Sequence, residues 1–391
     1  MSPDIVPLIV GLTVLVSSLI SLRLGLSVAI IEILLGSIVG NFGMEPEQWM
    51  LYFANFGGVL LTFLAGTEID TRLLKEKFSA SFNIGIVSFI LPFICVFLFT
   101  FFVKKWSYNA ALIAGTALST TSLAVVYSVL VETGLSNTRL GKLVMAATFI
   151  TDMGTALALS ILFVKPTLYT LIFISISLNV IYFADRFSHY IFTNPKWRNK
   201  VIEPEIKYVF LLLLTFMYFA KLGEGHAVLP AFVLGLLMSR HFRETSETRI
   251  VRNRLRTVAY AIITPLFFIV GGVRVSYTLI FSSIGSFALL FAIKIAAKFT
   301  GVFFLAKRYI PNGSMYTTLL MSTGLTFGTI SSLYGLNAGF INQQQYSVLV
   351  GVVVASAVIP TFIAQKWFMP LHSEDIVDVG NGHNGNQEPR E

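Results

Sequence analysis

Charge is what this chain has least of. Only 12% of its 391 residues are Asp, Glu, Lys or Arg, against 55% hydrophobic, whereas a soluble domain carries about a quarter charged residues. With a mean hydropathy of +0.77, that scarcity excludes a soluble globular domain and implies a polytopic, all-α membrane protein. Cysteine is nearly absent too. The single Cys95 lies in an apolar run, which excludes a disulfide framework and a cysteine-based metal site. The five histidines are scattered, and the chain has no H-E-x-x-H, G-x-S-x-G, P-loop or dinucleotide-binding glycine pattern. Enzyme chemistry has no foothold here, and no resident cofactor is expected. The net charge of +8 does not point to nucleic acid, because the basic residues are spread through short loops between apolar runs.

What the chain has instead is a series of apolar runs. Windows of about 20 residues, the length that crosses a bilayer, give thirteen expected spans. They lie near 3–22, 25–42, 52–67, 80–103, 108–130, 140–164, 166–185, 204–221, 226–240, 256–273, 277–306, 313–337 and 345–369. The ninth is short, so it is re-entrant or strongly tilted. The first begins almost at Met1, carries Asp4 and lacks a basic leader, so it reads as a span and not as a cleaved signal peptide.

Basic residues orient the chain. With the N-terminus outside, the inner loops hold nineteen Lys and Arg, including Arg72, Lys75, Lys77, Arg139, Lys142 and the run from Arg240 to Arg256. The outer loops hold five: Lys104, Lys105, Lys165, Lys221 and Arg274. An outside N-terminus and a cytoplasmic C-terminus follow, in a multi-pass protein of the cell membrane. Residues 371–391 are polar and rich in Gly and Asn, so they read as a disordered cytoplasmic tail. No soluble regulatory domain is expected on this chain.

Against that background a few charges stand out. Asp152 sits in the apolar run from Leu143 to Val164. A charge at membrane depth costs from roughly 3 to more than 10 kcal/mol, so an ionisable residue there marks a functional site by default. Thr148, Asp152 and Thr155 share a helical face at i, i+4 and i+7, and a carboxylate among hydroxyls offers hard oxygen ligands for a proton or an alkali cation such as sodium. The bland alternative is a structural Asp paired with a lysine. Lys294 and Lys298, four residues apart in a later apolar run, are the two candidates, and Lys298 is the expected inner partner. Such a lysine can trade protons or act as the counter-charge when a cation leaves, although one of the pair can instead snorkel to an interface. Glu32, inside the second span, is a secondary candidate. Glu68, Asp70 and Arg274 sit at span ends, and His226 beside a loop, where solvation is the simpler reading.

The fifth span contains Ser119, Thr120, Thr121 and Ser122 in a row. Four small hydroxyl residues make a poor lipid-facing helix. Opening the backbone there frees carbonyls that can coordinate a cation, provided the opening lines a protein cavity. The alternative is an intact helix whose hydroxyls bond back to the preceding turn. The same region takes part in an internal echo. Phe63 to Gly66 resembles Phe268 to Gly271, the run around Ser119 resembles that around Gly324, and the second span pairs with the ninth, each at an offset of about 205 residues. Such spacing predicts two inverted-topology repeats with a broken helix in each. Generic small-residue packing is the competing account.

In this order, the stretch Leu24, Gly25, Leu26, Ser27 with Glu32 and Gly36, the run Phe63 to Asp70, the run Ala117 to Ser122 followed by Glu132 and Gly134, and Lys298 with Gly301 resemble the monovalent cation/proton antiporter superfamily, in particular its NapA-like and Kef-like branch. The resemblance covers about residues 3 to 370. It implies a transmembrane antiporter domain over 1–370, with dimerisation helices and a six-helix core over about 80–164 and 277–369. It also implies a homodimer, two broken helices crossing beside Asp152, and an elevator movement of the core. The site residues it implies are Asp152, Thr151, Thr148, Ser122, Thr121 and Ser119, with Lys298 or Lys294 as charge partner. One departure matters. Electrogenic relatives carry two adjacent acids, but here Thr151 precedes Asp152. One carboxylate implies one cation against one proton, hence electroneutral exchange, unless a lysine gives up a proton.

The expectation is therefore an antiporter exchanging Na+, Li+ or K+ for H+, with the ions as cargo and the bilayer as partner. The alternatives are a Na+-coupled symporter of an organic anion, an ion channel, or a sensor on a transporter scaffold. No filter-like repeat of carbonyl loops favours a channel. No Arg falls inside an expected span, which disfavours the anion symporter.

Overall fold

A computed structural model describes residues 5–24, 27–67, 78–136, 138–162, 168–193, 202–223, 227–244 and 246–370, and among them there is no strand. The tail from 371 lies outside the described residues. So do Glu68, Asp70 and His226, and the loop residues Arg72, Lys75, Lys77, Lys165, Lys196, Arg198 and Lys200. Helices are the expected outcome for apolar spans, since each backbone N–H and C=O must find its partner within the segment when no water is near.

In chain order, α1 (Val6–Leu24), α2 (Val28–Asn41) and α3 (Gln48–Thr67) lead to α4 (Phe78–Leu98), which continues through a π-helical turn, Phe99–Val103. The next span is interrupted: α5 (Tyr108–Ser119) and α6 (Leu123–Glu132) are its halves. Then follow α7 (Arg139–Leu162), α8 (Leu168–Thr193), α9 (Pro204–Leu222) and α10 (Val228–Glu244). Helix α11 (Ser246–Val258) joins α12 (Thr264–Val273) through a second π-helical segment, Ala259–Ile263. After the short α13 (Tyr277–Ser282) comes α14 (Ile284–Tyr309), then a second interrupted pair, α15 (Ser314–Met321) and α16 (Thr326–Asn337), and finally α17 (Gln343–Trp367). Among the described residues, eight helices are long and apolar enough to cross a membrane unaided, while Val28–Asn41 and Val228–Arg240 are shorter apolar helices.

Two boundaries differ from expectation. The eleventh span begins at Ile284 and not at 277, because Ser276 caps a separate short helix by accepting from the Leu279 N–H. The tenth begins near Arg249 and not at 256. A window of mean hydropathy stops at the arginines, but the helix continues because its other face, Val251 and Leu255, is buried in an apolar core.

Glycine sets how closely the helices approach. A Cβ at Gly36 would strike the backbone of Ile269, one at Gly40 that of Val273, and one at Gly272 that of Ile33, so α2 and α12 cross backbone to backbone. Helices α3 and α10 cross in the same way, with Gly66 against the Phe232 carbonyl and Gly235 against that of Phe63. In the internal repeat, α2 corresponds to α10 and α3 to α12. The two crossings are therefore the same contact made twice, as small-residue packing in a duplicated bundle requires.

Among the described residues the helices share three large apolar cores. One gathers α3, α8, α9, α10, α11 and the π segment after it. A second gathers α4, α6, α7, α14, α15 and α17. The largest draws on α2–α7, α10, α12, α14, α16 and α17. Within it Phe232 of α10 stacks on Phe149 of α7 at 5.6 Å between ring centroids and meets Phe327 of α16 edge-on at 6.5 Å. Replacing Gly272 by Ala is expected to lower stability by about 1–3 kcal/mol, the usual cost of overpacking. Thermal unfolding in detergent reads this, with Gly11→Ala, where nothing lies within 4 Å of an added Cβ, as the unaffected control.

Candidate functional site

Both interruptions are true breaks and not back-bonded helices. Ser107 caps α5 by accepting from the Ala110 N–H at 3.2 Å, and the helix ends where Thr120 turns extended (φ −65°, ψ 158°). Ser122 then starts α6, its hydroxyl accepting from the Val125 N–H at 3.5 Å. In the second pair, Ser322 to Leu325 separate α15 from α16, with Leu325 at φ −144°, ψ −74°.

The breaks meet. The Thr121 hydroxyl donates to the carbonyl of Met321, the last residue of α15, at 2.8 Å. In turn Lys298 of α14 donates to the Thr121 hydroxyl at 3.0 Å and to Ser88 of α4 at 2.8 Å. One hydroxyl thus links an ammonium group to an otherwise free helix-end carbonyl, at a point where all these side chains are buried.

Asp152 lies on the other side of the same break, 2% exposed. Its Oδ1 accepts from the Thr120 hydroxyl at 3.3 Å, a proton that the Thr121 carbonyl also faces at 3.3 Å. Lys298 reaches the Thr121 side and Asp152 the Thr120 side, so two adjacent threonines stand between acid and base. In this structure Lys298 bonds to hydroxyls, with Thr120 and Thr121 between it and Asp152.

The remaining sequence candidates fall into two groups. Thr148 faces the crossing, donating to the Met321 sulfur at 3.4 Å. Ser119, Thr151 and Thr155 donate back to their own helices, to the carbonyls of Thr116, Thr148 and Thr151. Lys294 is fully buried, with no hydrogen-bond partner at its Nζ. It lies against Gly324 of the second break, where an added Cβ would collide with the amine and come within 3.2 Å of the Thr120 carbonyl. The two lysines therefore differ in their partners: Lys298 bonds to Thr121 and Ser88, while Lys294 sits beside Gly324 with its amine unpaired. Among the described residues no cluster of three or more His, Cys, Asp or Glu could hold a metal.

Asp152 is reached through a cavity of about 450 Å³. One wall is a single stripe of α7, with Lys142, Met145, Ala146, Phe149 and Asp152 at i, i+3, i+4, i+7 and i+10. At 1.5 Å per residue the stripe descends about 15 Å from mouth to carboxylate. The facing wall carries Arg249, Arg252, Arg256, Tyr260, Thr264 and Phe268. A face repeating every four residues drifts around an α-helix of 3.6 residues per turn, and the wider π turn at Ala259–Ile263 takes up the surplus. Glu32 of α2, 2% exposed, lines the same space, and Thr326 and Phe327 lie at its floor.

Sequence reasoning missed three groups. Thr120 had the right signal, its place among four hydroxyl residues, but nothing ranked it above its neighbours. Ser88 had none, being one serine in an apolar run. Arg249 and Arg252 fell outside the expected tenth span and Arg256 at its first residue, so the expectation of no Arg within a span is corrected. Thr121→Val removes both the Lys298 and the Met321 contact and is expected to cost about 1–3 kcal/mol, since it leaves buried polar groups unpaired. Ser119→Ala, which deletes only a back-bonded hydroxyl, is expected to lower the detergent unfolding temperature less.

Comparison with known proteins matches residues 10–368 to the family described as "Sodium/hydrogen exchanger, transmembrane". The chain is 24% identical over 351 residues to the "Probable Na(+)/H(+) antiporter 3" of Methanocaldococcus jannaschii, covering 85% of this chain and 88% of the relative. It is 26% identical over 374 residues to the "Na(+)/H(+) antiporter" of Enterococcus hirae, covering 90% and 94%. The solved sodium proton antiporter MjNhaP1 of Methanocaldococcus jannaschii has a similar fold, with a TM-score of 0.67, 14% identity and coverage of 92% and 98%.

Proposed function

This chain belongs to the sodium/hydrogen exchanger family, a family of multi-pass membrane proteins, and on that premise we propose that it exchanges Na+ for H+ as a secondary antiporter. The observation that carries the reading is Asp152, a buried carboxylate with a single hydroxyl donor, placed where a cavity ends against two broken helices. A proton and a sodium ion compete for such a group. The protonated acid has no charge to hold a cation dehydrated, and the ionised acid holds one only if other oxygens replace its water. The Thr120 hydroxyl and backbone carbonyls freed at the break are suited to that task, with Ser119, Thr121, Ser122, Thr148 and Thr151 shaping the surroundings. Binding one species expels the other, which is the requirement for coupled exchange.

The cavity gives Asp152 access from one side. On the other, the crossing is closed by Thr121, Met321 and Lys298. Alternating access then requires the broken-helix bundle, α4–α7 with α13–α17, to shift against α1–α3 and α8–α12. We assign these as the elevator core and the dimerisation scaffold, within a domain over 1–370. Thirteen crossings, an outside N-terminus and a cell-membrane location belong to the same reading. The cavity mouth is lined by Lys142, Arg249 and Arg252, which the basic-residue rule puts in the cytoplasm, so this form is inward-open.

Thr151 precedes the acid and turns its hydroxyl onto its own helix, offering no second carboxylate. One sodium for one proton follows, with Lys298 remaining on its hydroxyls as a fixed counter-charge. A sodium gradient across sealed, otherwise ion-tight vesicles is expected to produce no steady voltage, and a voltage that persists would refute this stoichiometry.

Proteoliposomes test the central claim. Sodium-driven proton movement is expected in the intact protein and absent in Asp152→Asn, which keeps the size but loses the charge. Exchange is expected to fail at low pH, where the proton occupies the carboxylate. It should rise as the pH climbs and fall again once protons become scarce. A rate flat across the neutral range would contradict the competition.

A further inference from the structure

The mouth of the cavity has the wrong sign for a simple cation route. Four basic side chains line it, Lys142, Arg249, Arg252 and Arg256, against the two carboxylates of Glu32 and Asp152. A lined cleft focuses field, and an excess of positive charge raises the local concentration of anions and lowers that of sodium. The general preference for Lys and Arg on the inner side accounts for their sign, but not for their aim. Arg249, Arg252 and Arg256 fall at i, i+3 and i+7 on the face of α11 that looks into the cavity, while Val251 and Leu255 pin the opposite face into an apolar core. Arg254, outside that stripe, has an acid, Glu203, at 2.9 Å. Arg252 instead holds its Nε buried without a hydrogen-bond partner. Lys142 approaches the same space from α7, on the facing wall.

We infer that the mouth is a binding site for a phosphate group, held between Lys142 on one wall and Arg249 and Arg252 on the other, and that its occupancy stops exchange by clamping the cavity open. The chemistry follows from the donors. Guanidinium groups present planar forks that match phosphate oxygens two at a time, and a lysine adds a compact charge. Three cations converging from two walls suit a group with more than one negative charge. The clamp rests on the antiporter reading above, because α7 belongs to the proposed moving core and α11 to the proposed scaffold. A ligand bridging them ties the parts whose relative movement carries sodium. A soluble polyphosphate and an anionic lipid headgroup supply the same chemistry.

The test has a binding arm and a transport arm. In detergent, inorganic pyrophosphate is expected to raise the unfolding temperature of the intact protein above that in chloride of equal ionic strength. In phosphatidylcholine vesicles, pyrophosphate on the cavity side at about ten times its dissociation constant leaves about a tenth of the protein free, so exchange should fall about tenfold. Arg249→Gln with Arg252→Gln should leave basal exchange at least as fast as in the intact protein and lose both effects. If that pair of changes prevents folding, Arg252→Lys, which keeps the charge but removes the fork, should weaken the temperature shift. Vesicles containing phosphatidylglycerol form the lipid arm. Inhibition there without any response to pyrophosphate assigns the site to a headgroup, and the reverse assigns it to a soluble phosphate. No shift and no inhibition from either source, or equal inhibition in the double variant, would overturn the site. A shift with undiminished exchange would overturn the clamp. A protein that exchanged no cation would still be decided in the binding arm, which separates failure of this site from failure of the antiporter reading.

Discussion

Two helices stop in the middle of a bilayer-spanning protein, and each stop leaves backbone groups that hydrocarbon cannot satisfy. The rest of the structure is organised around that constraint. The breaks are brought together so that a side chain of one, Thr121, satisfies the end of the other at Met321. Lys298 is placed where its amine meets the same hydroxyl, and Asp152 where it meets the neighbouring one. Burying an acid and two lysines together gains little stability by itself. The arrangement is understandable as one in which side chains of neighbouring helices hold two backbone breaks together.

Much of this was legible in the sequence, for reasons specific to the residues. Asp152 was conspicuous because its neighbours are apolar, and the interruption at Ser119 to Ser122 because four hydroxyl residues cannot face lipid. The internal echo was visible through Gly66 and Gly271, although it is Gly66 and the neighbouring Gly272 that make the close backbone approaches. What could not be read is how side chains are shared out once helices cross. Spacing puts Lys294 and Lys298 on one face of a helix, but does not show that Lys298 finds two hydroxyl partners while the Lys294 amine finds none. Nor does it give the partner of Lys298 as Ser88, some 210 positions away. The arginines of α11 were hidden by averaging: a window that sums hydropathy ends the helix where an amphipathic face keeps it going.

Glycine-mediated crossings lock α2 against α12 and α3 against α10, backbone against backbone. The helices assigned to scaffold and core meet instead through the aromatic contact of Phe149, Phe232 and Phe327, with the Tyr346 hydroxyl of α17 donating to the Gly271 carbonyl of α12 at 2.7 Å. Aromatic pairs tolerate several offset geometries at similar energy. A seam of this kind suits parts that shift relative to one another, which is why we place the boundary between core and scaffold there.

The π-helical segment at Ala259–Ile263 has a consequence for how this wall can change over time. It acts as a spare link in a chain whose two ends have separate duties, arginines above and Thr264 with Phe268 below. Deleting one residue there would tighten the turn to an ordinary helix and rotate one end relative to the other, swinging the arginines away from the cavity without altering any of them. The aim of the mouth and the position of the floor are therefore coupled through the length of one short segment.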